Sequence, residues 1–415
     1  MKILVIGSGG REHAIIKKLS ESKRITKLYA LSGNAGISQF AECVAGNVTD
    51  IDAVVEKAKN LGVDVVFVAP DDPLALGMVD ALTSKGIRAF GPTKAGAQLE
   101  SSKAFSKAFM QKYGIPTASY KSFDDYEKAV EYSKNQTFPI VVKADGLALG
   151  KGVIICSTFD EAKDAIGKMM KDGAFSSSGR TVVIEEFLQG REVTLLAFTD
   201  GKTIKPMPSS QDHKRAFDGD KGLNTGGMGA FAPSPFFTAE KQKEAMEKII
   251  LPTIDGLRKE GIIYKGVLYF GLMMTADGIK VIEYNARFGD PETQVILPLL
   301  KTDLSVIMDA CIDGRLHETE IEWLDETALT VVVASGGYPE NVIKGYEIEV
   351  GKLDGVTLYH AGTTIKDDKL VTNGGRVFSL TAVADNLSEA RKKVYGQIDK
   401  IKFQGARYRS DIGKS

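Results

Sequence analysis

The sequence predicts a multidomain protein that combines the α/β and α+β classes. Its 415 residues exceed one ordinary hydrophobic core, so several domains are expected. Over residues 1–101, short β-branched strands alternate with helical segments, which indicates an N-terminal doubly wound parallel sheet. Residues 321–415 contain strands with Gly-Gly and Asp-Gly turns and then a helix, which predicts a small C-terminal α+β domain. Residues 102–320 form the central region.

Composition excludes several classes of function. Apolar residues make up 43% and charged residues 26%, as in soluble globular proteins. No apolar run is long enough for a membrane span or a signal peptide, so a cytoplasmic protein without a membrane partner is expected. The 53 basic and 54 acidic residues nearly cancel and form no basic run, so no nucleic-acid partner is expected.

The three cysteines, Cys43, Cys156 and Cys311, are far apart in the sequence, and no two of them form a CxxC pair. This spacing speaks against a disulfide framework and against a structural zinc site. We therefore expect all three thiols to be reduced and to fill hydrophobic cores.

The first strand, residues 2–6, ends in Gly7-Ser8-Gly9-Gly10, and a helix comes next. Free amides at such a helix N-terminus can bind an anion. We expect a phosphate or another small anion on the amides of Gly9 and Gly10, with Arg11 and His13 nearby.

A dinucleotide-binding domain fits this segment badly. The third glycine of a G-x-G-x-x-G motif would fall on Glu12, and the second strand, residues 27–31, is not followed by an acid that could hold a ribose. Further strands at 63–69 and 87–90 extend the parallel sheet. Ligands of such sheets bind beyond the carboxyl ends of the strands, where Asp71 is placed.

The central region begins with a helix capped by two serines, and Lys103 lies in its first turn. A hairpin comes after it, in which Lys143 ends the incoming strand and a loop carries Gly146, Gly150 and Gly152. The glycine spacing and the strand after the loop do not match a P-loop. We interpret the hairpin as a lid whose amides cover phosphates, the alternative being an ordinary hairpin with a long turn.

Residues 180–196 contain a β-rich run and two candidate nucleotide contacts. A planar base could pack against Phe187 and Leu188, and Glu192 could accept ribose hydroxyls. The acids of this segment could equally be surface residues of an edge strand.

Residues 209–229 form the least globular segment, with five glycines. Long loops of this kind are usually functional or disordered. Asp212, Lys214 and Arg215 offer opposite charges to a zwitterionic or anionic ligand. His213 is interpreted as a hydrogen-bonding loop residue because no second metal ligand lies at a suitable spacing.

The stretch 281–293 contains the candidate chemical centre, and the other motifs are interpreted by their relation to it. Glu283, Asn285 and Arg287 alternate with Tyr284 and Ala286, so the polar side chains are expected on one face of a strand. Carboxylate and amide oxygens suit Mg²⁺, and an arginine beside them would complete a phosphate clamp. The alternative is a solvated strand end before a Gly-Asp-Pro turn.

The C-terminal region shows no convincing chemistry of its own. His317 and His360 are isolated, so both are interpreted as structural, and no internal repeat is evident. No Ser-His-Asp or Cys-His arrangement can be argued. The glycine turn, the lysines of the lid and the acid-amide-arginine strand together suit phosphoryl transfer from ATP.

In combination and order these motifs resemble the phosphoribosylamine–glycine ligases of the ATP-grasp superfamily. The motifs are Gly7-Ser8-Gly9-Gly10-Arg11-Glu12-His13-Ala14, residues 143–153, Gln211-Asp212-His213-Lys214-Arg215, residues 224–230, and residues 283–292. The resemblance implies a central ATP-grasp fold over 102–320, with a lid subdomain at about 120–190. It also implies a carbon–nitrogen ligase of purine biosynthesis that joins glycine to 5-phosphoribosylamine through a glycyl phosphate. The implied cofactors are ATP and Mg²⁺ or Mn²⁺, and the expected state is a monomer or a weak homo-oligomer.

The resemblance also implies roles for individual residues. The implied nucleotide contacts are Lys103, Lys143, Gly146, Gly150, Gly152, Glu185, Glu186, Phe187, Leu188 and Glu192. The implied metal ligands are Glu283 and Asn285; the implied catalytic residues are Arg287, Asp212 and Lys214; and the implied substrate contacts are Gly9, Gly10, Asp71, Gly226 and Gly227.

The sequence departs from the family pattern at three places. Asp71 stands where the family usually has Glu, which is one methylene longer, and this changes the expected reach of a substrate contact. Leu223 replaces a usual Pro, and Arg191 a usual Glu.

Three rival functions make different demands on the sequence. Another ATP-grasp carboxylate–amine ligase should lack the Asp-His-Lys-Arg and Gly-Gly-Met-Gly loop. A non-catalytic nucleotide sensor should have degraded metal ligands, whereas Glu283 and Asn285 are present. An NAD(P) oxidoreductase is disfavoured by Glu12.

Overall fold

The structure is a computed structural model that describes residues 1–147, 152–171 and 180–414. The N-terminal region is a parallel sheet with strand order β3-β2-β1-β4-β5, as predicted. Its elements are β1 (Lys2–Gly7), α1 (Gly10–Ser20), β2 (Lys27–Ser32), β3 (Glu42–Val44), α2 (Ile51–Leu61), β4 (Val65–Val68), α3 (Asp71–Leu76), α4 (Met78–Ser84), β5 (Arg88–Phe90) and α5 (Lys94–Ser101).

A four-stranded antiparallel sheet with the order β6-β9-β7-β8 opens the central region. Its elements are α6 (Lys103–Lys112), β6 (Tyr120–Phe123), α7 (Tyr126–Lys134), β7 (Ile140–Ala144), β8 (Val153–Cys156), α8 (Phe159–Met170) and β9 (Val182–Glu186). Strands β7 and β8 pair as the predicted hairpin. Helix α6 begins at Lys103, and the Ser102 side chain accepts from Phe105 N, which is the predicted serine cap.

A second antiparallel sheet, with the order β11-β10-β16-β17, carries the chemistry-bearing stretch at its edge. The elements after β9 are β10 (Arg191–Thr199), β11 (Ile204–Pro206), β12 (Gln211–Asp212), β13 (Arg215–Phe217), β14 (Lys221–Asn224), β15 (Gly229–Ala232), α9 (Ala239–Ala245), α10 (Leu251–Lys259), β16 (Gly266–Thr275), β17 (Gly278–Asn285), α11 (Thr293–Ile296) and α12 (Leu304–Asp313). The two antiparallel sheets correspond to the two parts of the fold implied by the resemblance.

The helical segment over residues 239–259 is interrupted. A π-helical turn, Met246–Ile250, separates α9 from α10. Pro252 lies in the first turn of α10 and has no N–H to donate to the preceding turn, which accounts for the change of hydrogen-bond pattern.

The C-terminal sheet reaches back into the central region. Its order is β12-β15-β18-β23-β20, so two strands from residues 211–232 form one edge of it: β12 pairs with β15, and β15 pairs with a strand from beyond residue 320. The remaining elements are β18 (Thr327–Ala334), β19 (Glu349–Val350), β20 (Thr357–His360), β21 (Thr363–Lys366), β22 (Lys369–Thr372), β23 (Arg376–Ala384), α13 (Leu387–Tyr395) and β24 (Ile401–Lys402). This shared sheet joins the glycine-rich segment 209–229 to the C-terminal domain.

Two of the three cysteines are buried as predicted. Cys156 and Cys311 have no exposed surface, whereas Cys43 is exposed, so the prediction of a core position is wrong for Cys43. The reason is topological: β3 is a three-residue strand at the edge of the N-terminal sheet. None of the helices in the described ranges is long and apolar enough to cross a membrane.

A buried histidine pair joins the N-terminal and C-terminal domains. His360 N donates to His13 Nδ1 at 2.8 Å, and the ring centroids lie 5.7 Å apart. Burial lowers the pKa of His13 from 6.5 to about 3 and that of His360 to about 4. His360 is therefore structural, as predicted, and His13 packs against it rather than flanking an anion.

This pair predicts a loss of stability in acid. The unfolded chain takes up protons near pH 6.5 while the folded pair stays neutral, so stability is full above that pH and falls as the pH drops toward 4. Between pH 7 and pH 5 each histidine should cost about 2 kcal/mol of unfolding free energy. The unfolding free energy measured in urea should fall by about 2 kcal/mol less in His360→Gln than in the wild type between pH 7 and pH 5.

His317→Gln is the matched control, because the side chain of His317 is 63% exposed. It should keep the pH dependence of the wild type. An unchanged pH dependence in His360→Gln would contradict the prediction.

Candidate functional site

One cavity of about 1320 Å³ collects most of the residues that the sequence singled out. It exceeds the usual range for a single small ligand, roughly 300–1000 Å³. All three regions of the chain line it, including Asp71, Lys103, Glu283 and Tyr338. Such a volume can hold a nucleotide and further small substrates together.

A β-bulge turns the chemistry-bearing strand toward this cavity. Gly271 pairs with Glu283 and Leu272 with Val281, which leaves Ile282 as an extra residue in β17. Val281 and Tyr284 are buried in the same hydrophobic core although they are three residues apart. The polar face therefore begins at Glu283, and Asn285 joins it in the cavity wall.

Lys214 connects two predicted sites. Its Nζ lies 3.4 Å from Glu192 Oε2 and 3.8 Å from Glu283 Oε1. Burial would lower the pKa of Lys214, but Glu192, Asp212 and Glu283 outweigh it and hold the pKa well above its ordinary value. The lysine is therefore a fixed cation between the candidate ribose and metal contacts.

Asp212 is a half-buried acid that lines the same cavity. Burial raises its pKa to about 7. The positive charge of Lys214 opposes this shift, and the negative charge of Glu292 adds to it. Glu292 Oε1 accepts from the hydroxyl of Tyr269 at 2.9 Å. A carboxyl group that titrates near neutrality can exchange a proton with a bound substrate.

Two lysines share one buried glutamate at the sheet formed by β6, β9, β7 and β8. Glu185 lies 2.9 Å from Lys107 Nζ and 3.0 Å from Lys143 Nζ, and all three side chains are at most 5% exposed. The cluster carries one surplus positive charge, which suits a phosphate chain. Lys103 lies nearby and donates to Gly146 O at 2.8 Å.

Arg287 is held by an acid that sequence reasoning missed. Its Nη2 lies 2.7 Å from Glu100 Oε1, and Glu100 Oε2 accepts from Ala286 N at 2.7 Å. Burial raises the pKa of Glu100 to about 7 against the opposing charge of Arg287. Burial also acts to raise the pKa of Asp71, but Arg287 and Arg11 reverse the shift and lower it.

The glycine turn does not offer the anion site that was expected. Gly9 N donates to Glu12 Oε2 at 2.6 Å, so the side chain of its own helix occupies this amide. Arg11 is also engaged, by Glu12 at 2.7 Å and by Phe288 O at 3.2 Å. Neither Gly9 nor Gly10 is part of the cavity wall, and the expected anion contact at the Gly9 amide is wrong because Glu12 occupies it, whereas the contact at Gly10 stays a prediction.

The glycine-rich loop is ordered by the C-terminal domain. Strands β13 and β14 form a short hairpin within it, and Arg409 reaches back to Asp220 at 2.8 Å and to Arg215 O at 3.1 Å. Gly226 lies in the cavity wall and its N–H donates to Tyr338 Oη at 3.1 Å. The C-terminal domain thus shapes the cavity, whereas the sequence had indicated no chemistry there.

The remaining predicted contacts divide into three groups. Residues in the cavity wall are Gly146, Gly152, Glu185, Glu186, Phe187, Leu188 and Glu192. Gly227 packs behind the wall, where an added Cβ would meet Pro291 Cδ at 2.4 Å. Gly150 lies outside the described residues, and the lid prediction at its tip stays a prediction.

The donors at Glu283 and Asn285 fit a hard divalent cation. Lys214 is 3.8 Å from the carboxylate, and neither side chain makes a hydrogen bond within the described ranges. Burial would raise the pKa of Glu283, but four nearby cations lower it, so the carboxylate stays charged. One carboxylate and one amide oxygen suit Mg²⁺, which takes its other ligands from water and phosphate. Among the described residues no cluster of three or more His, Cys, Asp or Glu side chains offers a site made of protein ligands alone.

The residues that sequence reasoning missed lie away from the recognised motifs. Lys107 sits inside a helix, Glu100 lies in the last turn of α5, and Arg376 begins a strand of the last domain. Their only local signal is a charge on an otherwise amphipathic element, which is common on protein surfaces.

Models of known families match the chain in three successive segments. The phosphoribosylglycinamide synthetase N domain matches residues 1–100, the ATP-grasp (A) domain matches 101–293, and the C domain matches 328–415. The phosphoribosylamine–glycine ligase of Caldanaerobacter subterraneus is 49% identical over 413 residues, which are 99% of each chain. The chain belongs to the phosphoribosylglycinamide synthetase family.

Two further relatives support this family assignment. The crystal structure of the Thermotoga maritima phosphoribosylamine–glycine ligase superposes with a TM-score of 0.86 at 34% identity, covering 99% of this chain and 100% of that one. The trifunctional purine biosynthetic protein adenosine-3 of Gallus gallus is 49% identical over 99% of this chain, which is 42% of that protein.

A more distant structure shows the fold alone. The biotin carboxylase domain of the Hydrogenobacter thermophilus 2-oxoglutarate carboxylase, solved with MgADP and bicarbonate, has a TM-score of 0.77 at 16% identity. It covers 98% of this chain and 91% of that chain. The predicted architecture of an N-terminal parallel sheet, a central ATP-grasp fold and a C-terminal domain is confirmed.

Proposed function

We propose that the chain ligates glycine to 5-phosphoribosylamine at the expense of ATP. The γ-phosphoryl group passes to a glycine carboxylate oxygen and gives glycyl phosphate and ADP. The amine of phosphoribosylamine then attacks the acyl carbon, the C–N bond forms, and inorganic phosphate leaves. The product is glycinamide ribonucleotide, an early intermediate of purine biosynthesis.

The observation that carries this proposal is the arrangement of charges within one cavity. The Lys107–Glu185–Lys143 cluster, the Glu283 carboxylate and Arg287 all border the same space. The triphosphate of ATP contacts the lysine cluster at one end and the candidate metal site at the other. Catalysis of phosphoryl transfer is mostly positioning and neutralisation of charge, which these groups supply.

The lid residues bind and orient the nucleotide. Phe187 and Leu188 offer an apolar surface to the adenine, and Glu192 accepts from the ribose hydroxyls. Lys103 and Lys143 hold the phosphates, and Glu185 fixes the Lys143 ammonium at 3.0 Å. The nucleotide is thereby aligned with its γ-phosphate toward β17.

The residues around β17 serve the transfer and the ligation. Arg287 neutralises the charge that develops on the transferring phosphoryl group, and Glu100 fixes its orientation. Glu283 and Asn285 would hold Mg²⁺ or Mn²⁺, which, when bound, neutralises phosphate oxygens. Asp212 binds the glycine ammonium or takes the proton that the attacking amine loses, as its pKa of about 7 allows.

The test is ADP release by the purified protein with Mg²⁺ and ATP. Release that requires both glycine and phosphoribosylamine generated in place is the expected result. Release with a different carboxylate or amine would replace the substrates but keep an ATP-grasp ligase, and Asp71 would be the first residue to examine. No release under any combination would overturn the proposal.

A further inference from the structure

Arg376 brings a cation of the C-terminal domain into the cavity wall. Its Nη1 donates to Gly226 O at 2.6 Å and to Asp290 O at 2.8 Å, and lies 3.4 Å from Asp290 Oδ1. Its Nε and Nη2 have no hydrogen-bond partner in the described part of the chain, and 21% of the side chain is exposed. One edge of the guanidinium is thus fixed by the protein, and the other remains able to donate to a ligand.

Arg376 lies where the glycine-rich loop meets the stretch after β17. A chain of contacts connects it to the candidate metal strand: Glu283 Oε1 is 3.8 Å from Lys214 Nζ, and Lys214 O accepts from Thr225 N at 2.8 Å. Thr225 precedes Gly226, which holds Arg376. Arg376 thus contacts the glycine-rich loop on one side and, through Asp290, the stretch after β17 on the other.

The cavity wall carries further positive charge that no carboxylate of the described residues pairs. Arg215 donates to Gly222 O at 2.8 Å, and neither Arg215 nor Lys414 has a carboxylate partner in the described ranges. Both line the same cavity as Arg376. The Asp290 carboxylate is already engaged, because it accepts from Gln294 Nε2 at 2.8 Å and from Arg11 N at 3.3 Å. A dianion would balance the charge here.

The first glycine turn does not compete for this anion. The Gly9 amide is taken by Glu12, and neither Gly9 nor Gly10 reaches the cavity. The amine and the phosphate of a 5-phosphorylated aminosugar stand at opposite ends of its ring. An amine held beside Lys214 and Glu283 thus points the phosphate toward the loop that holds Arg376.

We propose that the free edge of Arg376 binds the 5-phosphate of the sugar substrate. The inference rests on the proposed function, because it names the place of one group of that substrate. Arginine presents two parallel donors that match two phosphate oxygens, which gives direction as well as charge. The C-terminal domain thereby selects the phosphorylated aminosugar over an unphosphorylated one.

The test uses 1,4-anhydroribitol 5-phosphate, which keeps the ring and the phosphate but has no anomeric carbon to carry an amine. It should inhibit the wild type competitively against phosphoribosylamine, and 1,4-anhydroribitol without the phosphate should inhibit far less. In Arg376→Gln the inhibition constant should rise roughly 10- to 100-fold, the usual loss for a hydrogen-bonded charge pair. The KM for ATP should change less than about threefold, because that ligand lies elsewhere.

Two further variants separate phosphate binding from support of the loop. Arg376→Lys keeps the charge and should recover part of the affinity for the phosphorylated inhibitor. Ser410→Ala removes a hydroxyl that donates to Asp218 in the glycine-rich loop without changing charge, and Ser410 lies outside the cavity wall, so its inhibition constant should match the wild type. A rise of equal size in Ser410→Ala, or no change in Arg376→Gln, would overturn the inference.

The two proposals fail in different ways. Absence of glycine-dependent ligation in the wild type would overturn the proposed function. An Arg376→Gln enzyme that ligates normally and keeps its affinity for the phosphorylated inhibitor would overturn the role of Arg376 alone.

Discussion

Glu283→Gln should abolish turnover while leaving the fold intact. Glutamine keeps the shape of the side chain but removes the charge that would hold the metal and face Lys214, 3.8 Å away. We expect kcat to fall roughly 10³-fold, near the upper end for loss of one preorganised charge contact. The measurement is ADP release at saturating ATP, glycine and phosphoribosylamine over a range of Mg²⁺ concentrations.

Glu240→Gln is the matched control, since Glu240 is exposed and lies outside the cavity. It should behave as the wild type. Thermal unfolding of Glu283→Gln should still be cooperative, with a modest loss of stability, because nearby cations lower the pKa of Glu283 and so favour its charged form in the folded state. Activity near the wild-type level in folded Glu283→Gln would exclude Glu283 as a metal ligand.

Arg287→Met should lose both activity and stability. An arginine that neutralises a transferring phosphoryl group is worth about 10³-fold or more in kcat. Removing it also leaves Glu100 buried without its partner at 2.7 Å, which should cost roughly 3 kcal/mol. Single-turnover formation of ADP and urea unfolding measure the two effects separately.

The double variant Arg287→Met/Glu100→Gln tells the two roles apart. Glutamine at position 100 can still accept from Ala286 N, and it carries no buried charge. We expect stability to recover while kcat stays at the level of Arg287→Met. Recovery of activity together with stability would mean that Arg287 matters only as the partner of Glu100.

The sequence predicted the parts of the fold that depend on local pattern. Strand and helix alternation indicated the N-terminal sheet, and a run of β-branched residues beside glycines indicated the β7–β8 hairpin. Within the site, Glu283 and Asn285 could be recognised because a strand places alternate residues on one face. The family resemblance supplied the ATP-grasp architecture.

Local pattern could not predict contacts between distant segments. Glu100 and Arg287 are 187 residues apart, and Lys107 and Glu185 are joined only by the packing of α6 on the lid sheet. Gly9 shows the opposite case: its turn looked free in the sequence, but the Glu12 side chain fills it. Which donor is satisfied is decided by side-chain geometry, not by residue type.

The extra residue in β17 constrains how this chain can change over evolution. Val or Leu in place of Ile282 would keep the strand length and the orientation of the next residues in the strand. Deleting Ile282 would remove the bulge and leave Val281 and Tyr284 two residues apart, so both would still face the core and Glu283 the cavity. The deletion would, however, remove the Ile282 carbonyl, which accepts from Lys143 Nζ at 3.3 Å and which any residue at this position supplies. Substitutions are therefore more readily tolerated at this position than a change in length, and related sequences should vary here in composition but not in residue count.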